Sequence, residues 1–403
     1  MDFVGCLFCR KTFPYDPFSP FCPGCGEGLL VAPALKDAPG AIRPGRDYPL
    51  ERFADFLPLS TPDRRLSLGE GDTPLVFLGR LAASLGIPAL YAKNEGQNPT
   101  GSFKDRGTAL AIQKAVALGF KKVGTVSTGN MAASTAAYGA RAGIGTFVLL
   151  KEGTSRTSIQ NAGVFGPTLV AVRGDYGRLF HDSLRIGRKL GICFLNSIDP
   201  FRIEGYKVTG FEIFLQLGRL APDFVFVPLS SGGHLLGLMR AFEDLGRAGL
   251  TPGYPTFVGV QAEGCAPLVE AYETGRPTYE RLTEARTMAH AISNPAPPGG
   301  NTVLKMIRDH GGILVSVSDA EMLAAQRSLA SSEGLFCQPE SAVTLAGLIK
   351  LRDGGALAPA VRGRAVLVLT GSGLKSPQAL DSLPLEIHNL ALEGLEDGLR
   401  ALA

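Results

Sequence analysis

Between residues 90 and 373, short apolar runs alternate with stretches of helical character, and this alternation leaves the chain few architectures. The runs are LYAKNEG (90–96), VGTVSTGN (123–130), GTFVLL (145–150), TLVAVRG (168–174) and ICFLNS (192–197), then DFVFVPL (223–229), TFVGVQAEG (256–264), GILVSV (312–317) and AVLVLTGSG (365–373). Helical segments fall between them, for example 103–119 and 235–246. Strand and helix in repeated succession predict an α/β fold with mostly parallel sheets. About nine strands exceed one sheet of average size, so two α/β domains are expected. Ligands should then bind in a cleft beyond the carboxyl ends of the strands.

A chain of 403 residues has room for two such domains and an appendage. Hydrophobic residues make up 45% and charged residues 19%, which suits a large core and excludes wholesale disorder. The formal net charge of +3 is too weak a bias to suggest a nucleic-acid partner. No apolar run approaches the ~20 residues of a membrane span. The start, MDFVGCLFC, lacks the charged-then-apolar layout of a signal peptide. A soluble cytoplasmic protein is expected. Residues 33–65 are rich in Pro, Asp and Arg without period and read as a wrapping linker. Residues 384–403 read as a C-terminal amphipathic helix. There is no internal repeat and no low-complexity tract.

In a reducing compartment the seven cysteines need a reading other than disulfides. Residues 6–25 read CLFCRKTFPYDPFSPFCPGC. Cys6 and Cys9 form one CxxC pair, Cys22 and Cys25 another. Two residues inside each pair let a tight turn aim both sulfurs at one centre, and the intervening segment is long enough for a hairpin. This is tetrahedral four-cysteine zinc spacing. A metal-free ribbon or a redox pair is the alternative. Cys193, Cys265 and Cys337 stand among apolar residues and read as core.

The stretch NPTGSFKDRG (98–107) places Lys104 in the first turn of a helix. Ser102 can cap that helix, with Asp105 as a weaker partner. The positive end of the helix dipole and partial burial both disfavour an ammonium there. Both raise the fraction of free amine, the form that attacks an aldehyde to give a Schiff base. A surface lysine that opens a helix is the plainer alternative. Ser127–Asn130 (STGN) ends an apolar strand and precedes a helical run, which makes an anion cradle of backbone N–H groups suited to a carboxylate. Ser230–His234 (SSGGH) repeats the device, and its glycines permit the close backbone approach of a phosphate cup. Thr370–Gly373 (TGSG) closes the last strand. Each of these turns could also be a plain connection.

NPTGSFKDRG, STGN, the Gly-rich turn after a strand, FCQPESA (336–342) and LTGSGLK (369–375) come in the order seen in threonine synthases, which are fold type II pyridoxal-phosphate (PLP) enzymes. NSIDPFRIEGYK (196–207) resembles another piece of that pattern. The resemblance covers roughly residues 65–380, and many members carry an N-terminal zinc-ribbon-like segment. It implies two doubly wound domains of the tryptophan synthase β-like kind. Residues 66–95 and 205–380 would form the larger, cofactor-binding one, and 96–204 the smaller. Residues 1–32 would be the ribbon, 33–65 the linker and 381–403 the terminal helix.

By position, the resemblance implies that Lys104 holds PLP covalently and later moves the substrate α-proton. Asn130 would bond the phenolic oxygen of the cofactor. Ser230, Ser231, Gly232, Gly233 and His234 would cup its phosphate. Thr370 would meet the pyridine nitrogen, where a hydroxyl cannot protonate the ring as a carboxylate would. Ser127, Thr128 and Asn130 would meet the substrate carboxylate. Asn196 and Arg202 resemble the pair that receives the substrate phosphate, a task suited to the planar fork of arginine. A salt bridge is the alternative for Arg202. The implied reaction converts O-phosphohomoserine and water to threonine and phosphate, and a homodimer is the family expectation.

Four positions depart from the pattern. SSGGH stands where relatives often place asparagines. Met131 follows Asn130 where many have a small or hydroxylated residue. Gln338 replaces a frequent glutamate, and Ser158 lies where a lysine is often found. They leave open a related PLP lyase or replacement enzyme acting on serine, threonine or another activated amino acid. A catalytically dead paralogue that uses its ribbon for docking is a third reading, opposed by the intact lysine motif.

Overall fold

A computed structural model describes residues 2–32, 40–59, 61–357, 363–376, 387–390 and 392–402. The N-terminal segment is a small antiparallel sheet of β1 (Phe3–Gly5), β2 (Thr12–Pro14) and β3 (Leu30–Val31) in the order β2-β1-β3. Its strands are two or three residues long, so its interior is little more than Val4, Cys6, Cys22 and Leu29.

The linker is not featureless. It contains α1 (Pro49–Arg52), and Phe53 and Phe56 each lie 5.0 Å from the ring of Phe211. Residues 33–39 and 60 of it lie outside the described residues. After it come β4 (Leu75–Phe77), α2 (Gly79–Leu85), β5 (Ala89–Asn94) and α3 (Lys104–Ala117). Then follow β6 (Lys122–Val126), α4 (Asn130–Ala142), β7 (Gly145–Lys151), α5 (Arg156–Gly163), β8 (Thr168–Val172), α6 (Tyr176–Leu190) and β9 (Cys193–Phe194). The third stretch holds α7 (Pro200–Gln216), β10 (Phe224–Pro228), α8 (Gly233–Arg247), β11 (Thr256–Ala262), α9 (Pro267–Glu273) and α10 (Gly300–Asp309). It closes with β12 (Ile313–Val317), α11 (Asp319–Glu333), α12 (Pro339–Asp353), β13 (Arg364–Leu369) and α13 (Leu395–Leu402).

Each of the nine apolar runs contains a strand, and they divide between two sheets. One is six-stranded, in the order β12-β11-β10-β13-β5-β4; the other is four-stranded, in the order β8-β7-β6-β9. All pairings in both are parallel except β4 with β5, where Val76 lies opposite Ala92. Helices cover both faces of the larger sheet, so its strands are apolar on both sides. Along β10, Val225 and Val227 enter one core while Phe224 and Phe226 enter the other. Helices α3 and α7 approach closely at Gly205, where an added Cβ would come within 2.4 Å of the Arg106 carbonyl oxygen.

The expected C-terminal helix falls partly outside the described residues. Helix α13 begins at Leu395, residues 381–386 lie outside the described residues, and Leu395, Leu399 and Leu402 are exposed. Among the described residues no helix is long and apolar enough to cross a membrane.

Candidate active site

Three strands that lie side by side in the larger sheet, β10, β13 and β5, end in the SSGGH turn, in Thr370 and in the lysine turn. The connection from β5 is zipped to the end of β13. The Phe103 N–H donates to the Thr370 carbonyl at 3.0 Å, and the Ser372 N–H donates to Gly101 at 3.0 Å. Ser102 therefore faces Gly371 in a strand-like bridge and does not cap α3. The helix starts after Phe103 with no side-chain cap, and the Ser102 hydroxyl is buried without a hydrogen-bond partner. Asp105 holds the preceding turn instead, accepting from the Thr100 N–H at 2.7 Å and the Thr100 hydroxyl at 2.6 Å.

Lys104 is half-buried, and its amine rests 4.3 Å from the centre of the Phe103 ring. Burial, and then the charge of Arg202, lower its pKa to about 7. Phe103 stacks at 4.0 Å on His234 from the SSGGH turn. That imidazole has Nε2 3.3 Å from the Thr209 hydroxyl and no partner at Nδ1. Burial, with Lys104 and Arg106 nearby, holds it well below the usual histidine range, so it is neutral.

The SSGGH turn leads straight into α8, whose first N–H groups face outward from its N-terminus. Gly232 has φ +83°, and a Cβ there would meet Val303 Cγ2 at 2.2 Å, so only glycine fits. Thr370 has its hydroxyl 2.9 Å from that of Ser341, which also accepts from the Gly371 N–H at 3.0 Å.

The STGN turn ends β6 in the smaller sheet. The Gly129 N–H donates to the Ser127 hydroxyl at 3.3 Å, and a Cβ on Gly129 would touch nothing within 4 Å, so the turn is open on that side. Asn130 reaches across to the start of α12, where its amide donates to Gln338 Oε1 at 2.6 Å, and the Gln338 N–H in turn donates to the Gly371 carbonyl after β13 at 2.9 Å. An Asn amide carries a second N–H, which stays available to a ligand. Thr128 is half-exposed beside it, and Met131 is buried in the first turn of α4. Ser158 lies in the first turn of α5, where its N–H donates to the Ser155 hydroxyl at 3.3 Å. A cavity of about 780 Å³ opens beside the lysine turn, between Thr100, Lys375 and the α5 residues Ile159 and Gly163.

Asn196 and Arg202 are placed differently from the expectation. Arg202 has no exposed surface. Its Nη1 donates to Thr108 at 2.7 Å, and its Nη2 to Thr135 at 3.1 Å and the Leu195 carbonyl at 3.0 Å. Asn196 is 1% exposed, accepting from the Val126 N–H at 2.8 Å and donating to Ser183 at 3.1 Å. Neither presents surface to the cleft in this structure. Both lie behind the STGN turn.

A buried ionic layer under the lysine motif escaped sequence reasoning. Arg106 donates to Glu95 and, from both Nη atoms, to Glu212 at 2.8 and 2.7 Å; Lys93 joins Glu212 at 2.7 Å. Four charges on apolar elements look exposed until the packing is known. Their one sequence-level signal is that a strand or core helix carries charge at all.

Cys6, Cys9, Cys22 and Cys25 do converge: their sulfurs all lie within 4.8 Å of one another. The Cys9 N–H points at the Cys6 sulfur at 3.4 Å. Tetrahedral zinc at ~2.3 Å from each sulfur fits this spacing. Cys193 and Cys337 are buried in the two apolar cores; Cys265 is buried too, beside Ser293 and Asn294.

A model of the family "Pyridoxal-phosphate dependent enzyme" matches residues 66–371. Threonine synthase of Methanocaldococcus jannaschii is 36% identical over 93% of this chain and 93% of its own length. Threonine synthase of Methanosarcina acetivorans is 40% identical over 82% of this chain and 80% of its own. Among solved structures, threonine deaminase isoform 2 of Solanum lycopersicum superposes with a TM-score of 0.66 at 20% identity, covering 86% of this chain and 97% of its own. Diaminopropionate ammonia lyase of Escherichia coli superposes with a TM-score of 0.68 at 16% identity, covering 79% of this chain and 89% of its own. At such identities these two show the shared fold.

Proposed function

Since this chain belongs to the threonine synthase family of pyridoxal-phosphate-dependent enzymes, we propose that it converts O-phosphohomoserine and water to threonine and phosphate. The observation that carries the reading is a half-buried lysine set between an anion cup and a hydroxyl on three adjacent strands.

The residues present suit the cofactor. The amine of Lys104 is free to meet an aldehyde. The backbone from Ser230 to His234 and the start of α8 form an anion cup that no side chain at 232 could share. Thr370 offers the pyridine nitrogen a neutral hydroxyl, and Asn130 has an N–H to spare for the phenolic oxygen. When bound, PLP supplies the electron sink for a carbanion at the substrate α-carbon.

The protein supplies the rest. Ser127, Thr128 and Asn130 hold the substrate carboxylate at the open STGN turn. Lys104 is placed to remove the α-proton, as a base whose pKa is lowered to about 7 by burial and by Arg202. A β-proton must also leave before phosphate departs from Cγ. The same amine can then return a proton at Cγ, and water adds at Cβ as a proton returns to the α-carbon, which balances threonine and phosphate against O-phosphohomoserine and water. Asn196 and Arg202 support this machinery from behind, Asn196 by fixing the end of β6 and Arg202 by lowering the Lys104 pKa. For either to touch the substrate phosphate, the cleft must rearrange so that their present partners are exchanged. The four thiolates of the ribbon would hold a structural zinc ion.

Measuring phosphate and threonine in one tube, from PLP-loaded protein and O-phosphohomoserine, tests the reading. Equal amounts are expected; no phosphate would overturn it. The burial of Asn196 and Arg202 favours one second reading, a lyase of the same fold acting on an unphosphorylated hydroxy-amino acid. Keto acid and ammonia from threonine or serine, without phosphate release from the phosphorylated substrate, would establish it.

A further inference from the structure

Glu27 follows Cys25 by two residues and belongs to the second cysteine turn of the ribbon. Its carbonyl accepts from the Cys22 N–H at 2.7 Å. Its side chain leaves the ribbon. The carboxylate accepts from Asn301 Nδ2 at 2.7 Å, and from both the N–H and the hydroxyl of Thr302 at 3.2 Å. These residues are in the first turn of α10, whose own cap position is Gly299 and has no side chain to offer. A carboxylate there satisfies N–H groups that the helix leaves open and suits the positive end of its dipole. Glu27 is 8% exposed, so water is a poor substitute for it.

The start of α10 is also the wall behind the SSGGH turn. Val303, the residue after Thr302, is the one that a Cβ on Gly232 would strike. From the preceding segment, Asn294 Nδ2 donates to the Ser231 hydroxyl at 2.9 Å. The ribbon touches the other flank as well: a Cβ on Gly28 would come within 2.3 Å of Ile198 Cδ1, and the neighbouring Ser197 carbonyl lies 3.4 Å from the Cβ position of Gly233. Interiors packed this closely pass small displacements on.

We propose that Glu27 is a positioning residue that ties the cofactor-phosphate cup to the metal-filled ribbon, so that the grip on PLP depends on a metal bound outside the active site. The carboxylate fixes the start of α10, α10 fixes Gly232 and Ser231, and the four cysteines fix the backbone that carries the carboxylate. The inference rests on the assignment of Ser230–His234 to the cofactor phosphate.

The test titrates apoprotein with PLP, read by the visible absorbance of bound cofactor and the phosphorus resonance of its phosphate. Glu27→Ala should weaken PLP binding by about tenfold or more, the effect of losing a charged buried acceptor, and shift the phosphorus resonance, with metal content unchanged. Glu27→Gln keeps an acceptor for the Thr302 N–H and should recover most of the affinity. Asn301→Ala cuts the link without touching the ribbon and should act in the same direction. Chelating the metal should weaken PLP binding in the wild-type protein and add little in Glu27→Ala. Unchanged PLP affinity in both Glu27→Ala and Asn301→Ala would overturn the link, as would an equal loss on chelation in wild type and Glu27→Ala. Gly232→Ala separates the two layers: unaltered PLP affinity there overturns the cup assignment and the link with it. Weakened binding in Gly232→Ala beside an unaffected Glu27→Ala overturns the link alone.

Discussion

Asn130 and Gln338, 208 residues apart, are joined side chain to side chain at 2.6 Å, and this bond connects the helix after β6 to the sheet that carries Thr370. Gln338 also donates from Nε2 to the Ser376 hydroxyl at 2.9 Å. The amide of Gln338 thus accepts from one partner with its oxygen and donates to the other with its nitrogen, which a carboxylate cannot do.

Gln338→Glu keeps the acceptor for Asn130 and loses the donor to Ser376, while placing a charge at a site 7% exposed. It should destabilise the protein by about 1–3 kcal/mol. The midpoint of urea unfolding measures this, and an unmoved midpoint would show that Gln338 is not bound to both partners.

Lys104→Ala should abolish the visible band of bound cofactor and lower turnover by at least ~10³-fold. Compared as apoproteins at neutral pH, it should unfold at no lower a temperature than the wild type, because the amine makes no hydrogen bond among the described residues and burial disfavours its charge. Spectra and calorimetry on one preparation check both statements.

The pKa of Lys104 near 7 sets a pH dependence. The rate at which apoprotein captures PLP should rise with pH through a midpoint near 7, where an ordinary lysine would titrate near 10.5. Between those values the unfolded chain holds one proton more at this residue. Its contribution to stability therefore improves as pH rises through that window. Arg202→Met keeps much of the bulk and removes the charge, and should move the midpoint upward; stopped-flow absorbance reads it. A midpoint that stayed put would remove Arg202 from the account of the lysine.

Glu212 is buried, which by itself would raise its pKa, but Arg106 and Lys93 hold it down at about 2, below the 4.5 of a free glutamate. Its stabilising contribution is complete above about 4.5 and is lost as pH falls toward about 2. Glu212→Gln leaves two cations without their shared partner and should destabilise the fold by about 3–5 kcal/mol at neutral pH. Acid unfolding of the variant should also lose part of its slope in that window.

What was legible in the sequence was local. The nine runs announced β5 to β13 because a doubly covered parallel strand must be apolar on both sides, and FVFVP in β10 is buried along its whole length. Lys104, the STGN and SSGGH turns and Thr370 were legible for a related reason: small residues after an apolar run mark a strand end. The edge strand β4 was not, since three residues carry too little pattern. The Ser102 cap was lost to a bridge with Gly371, which lies far along the chain. The direction in which Arg202 points depends on which face of α7 meets α3 and α4, and no spacing within NSIDPFRIEGYK encodes that.

The middle position of β13 between β10 and β5 has a consequence for the life of the chain before it is finished. Strands that flank each other in the sheet leave the ribosome far apart in time, and the one that separates β10 from β5 comes last. Until residues 364–369 arrive, β10 and β5 have no partner on their facing edges, and the lysine turn has no Thr370 carbonyl to hold it. A nascent or truncated chain can thus contain the lysine, the cup and the ribbon and still have no place for the cofactor. Cofactor uptake would then report that the chain has been made at least through β13.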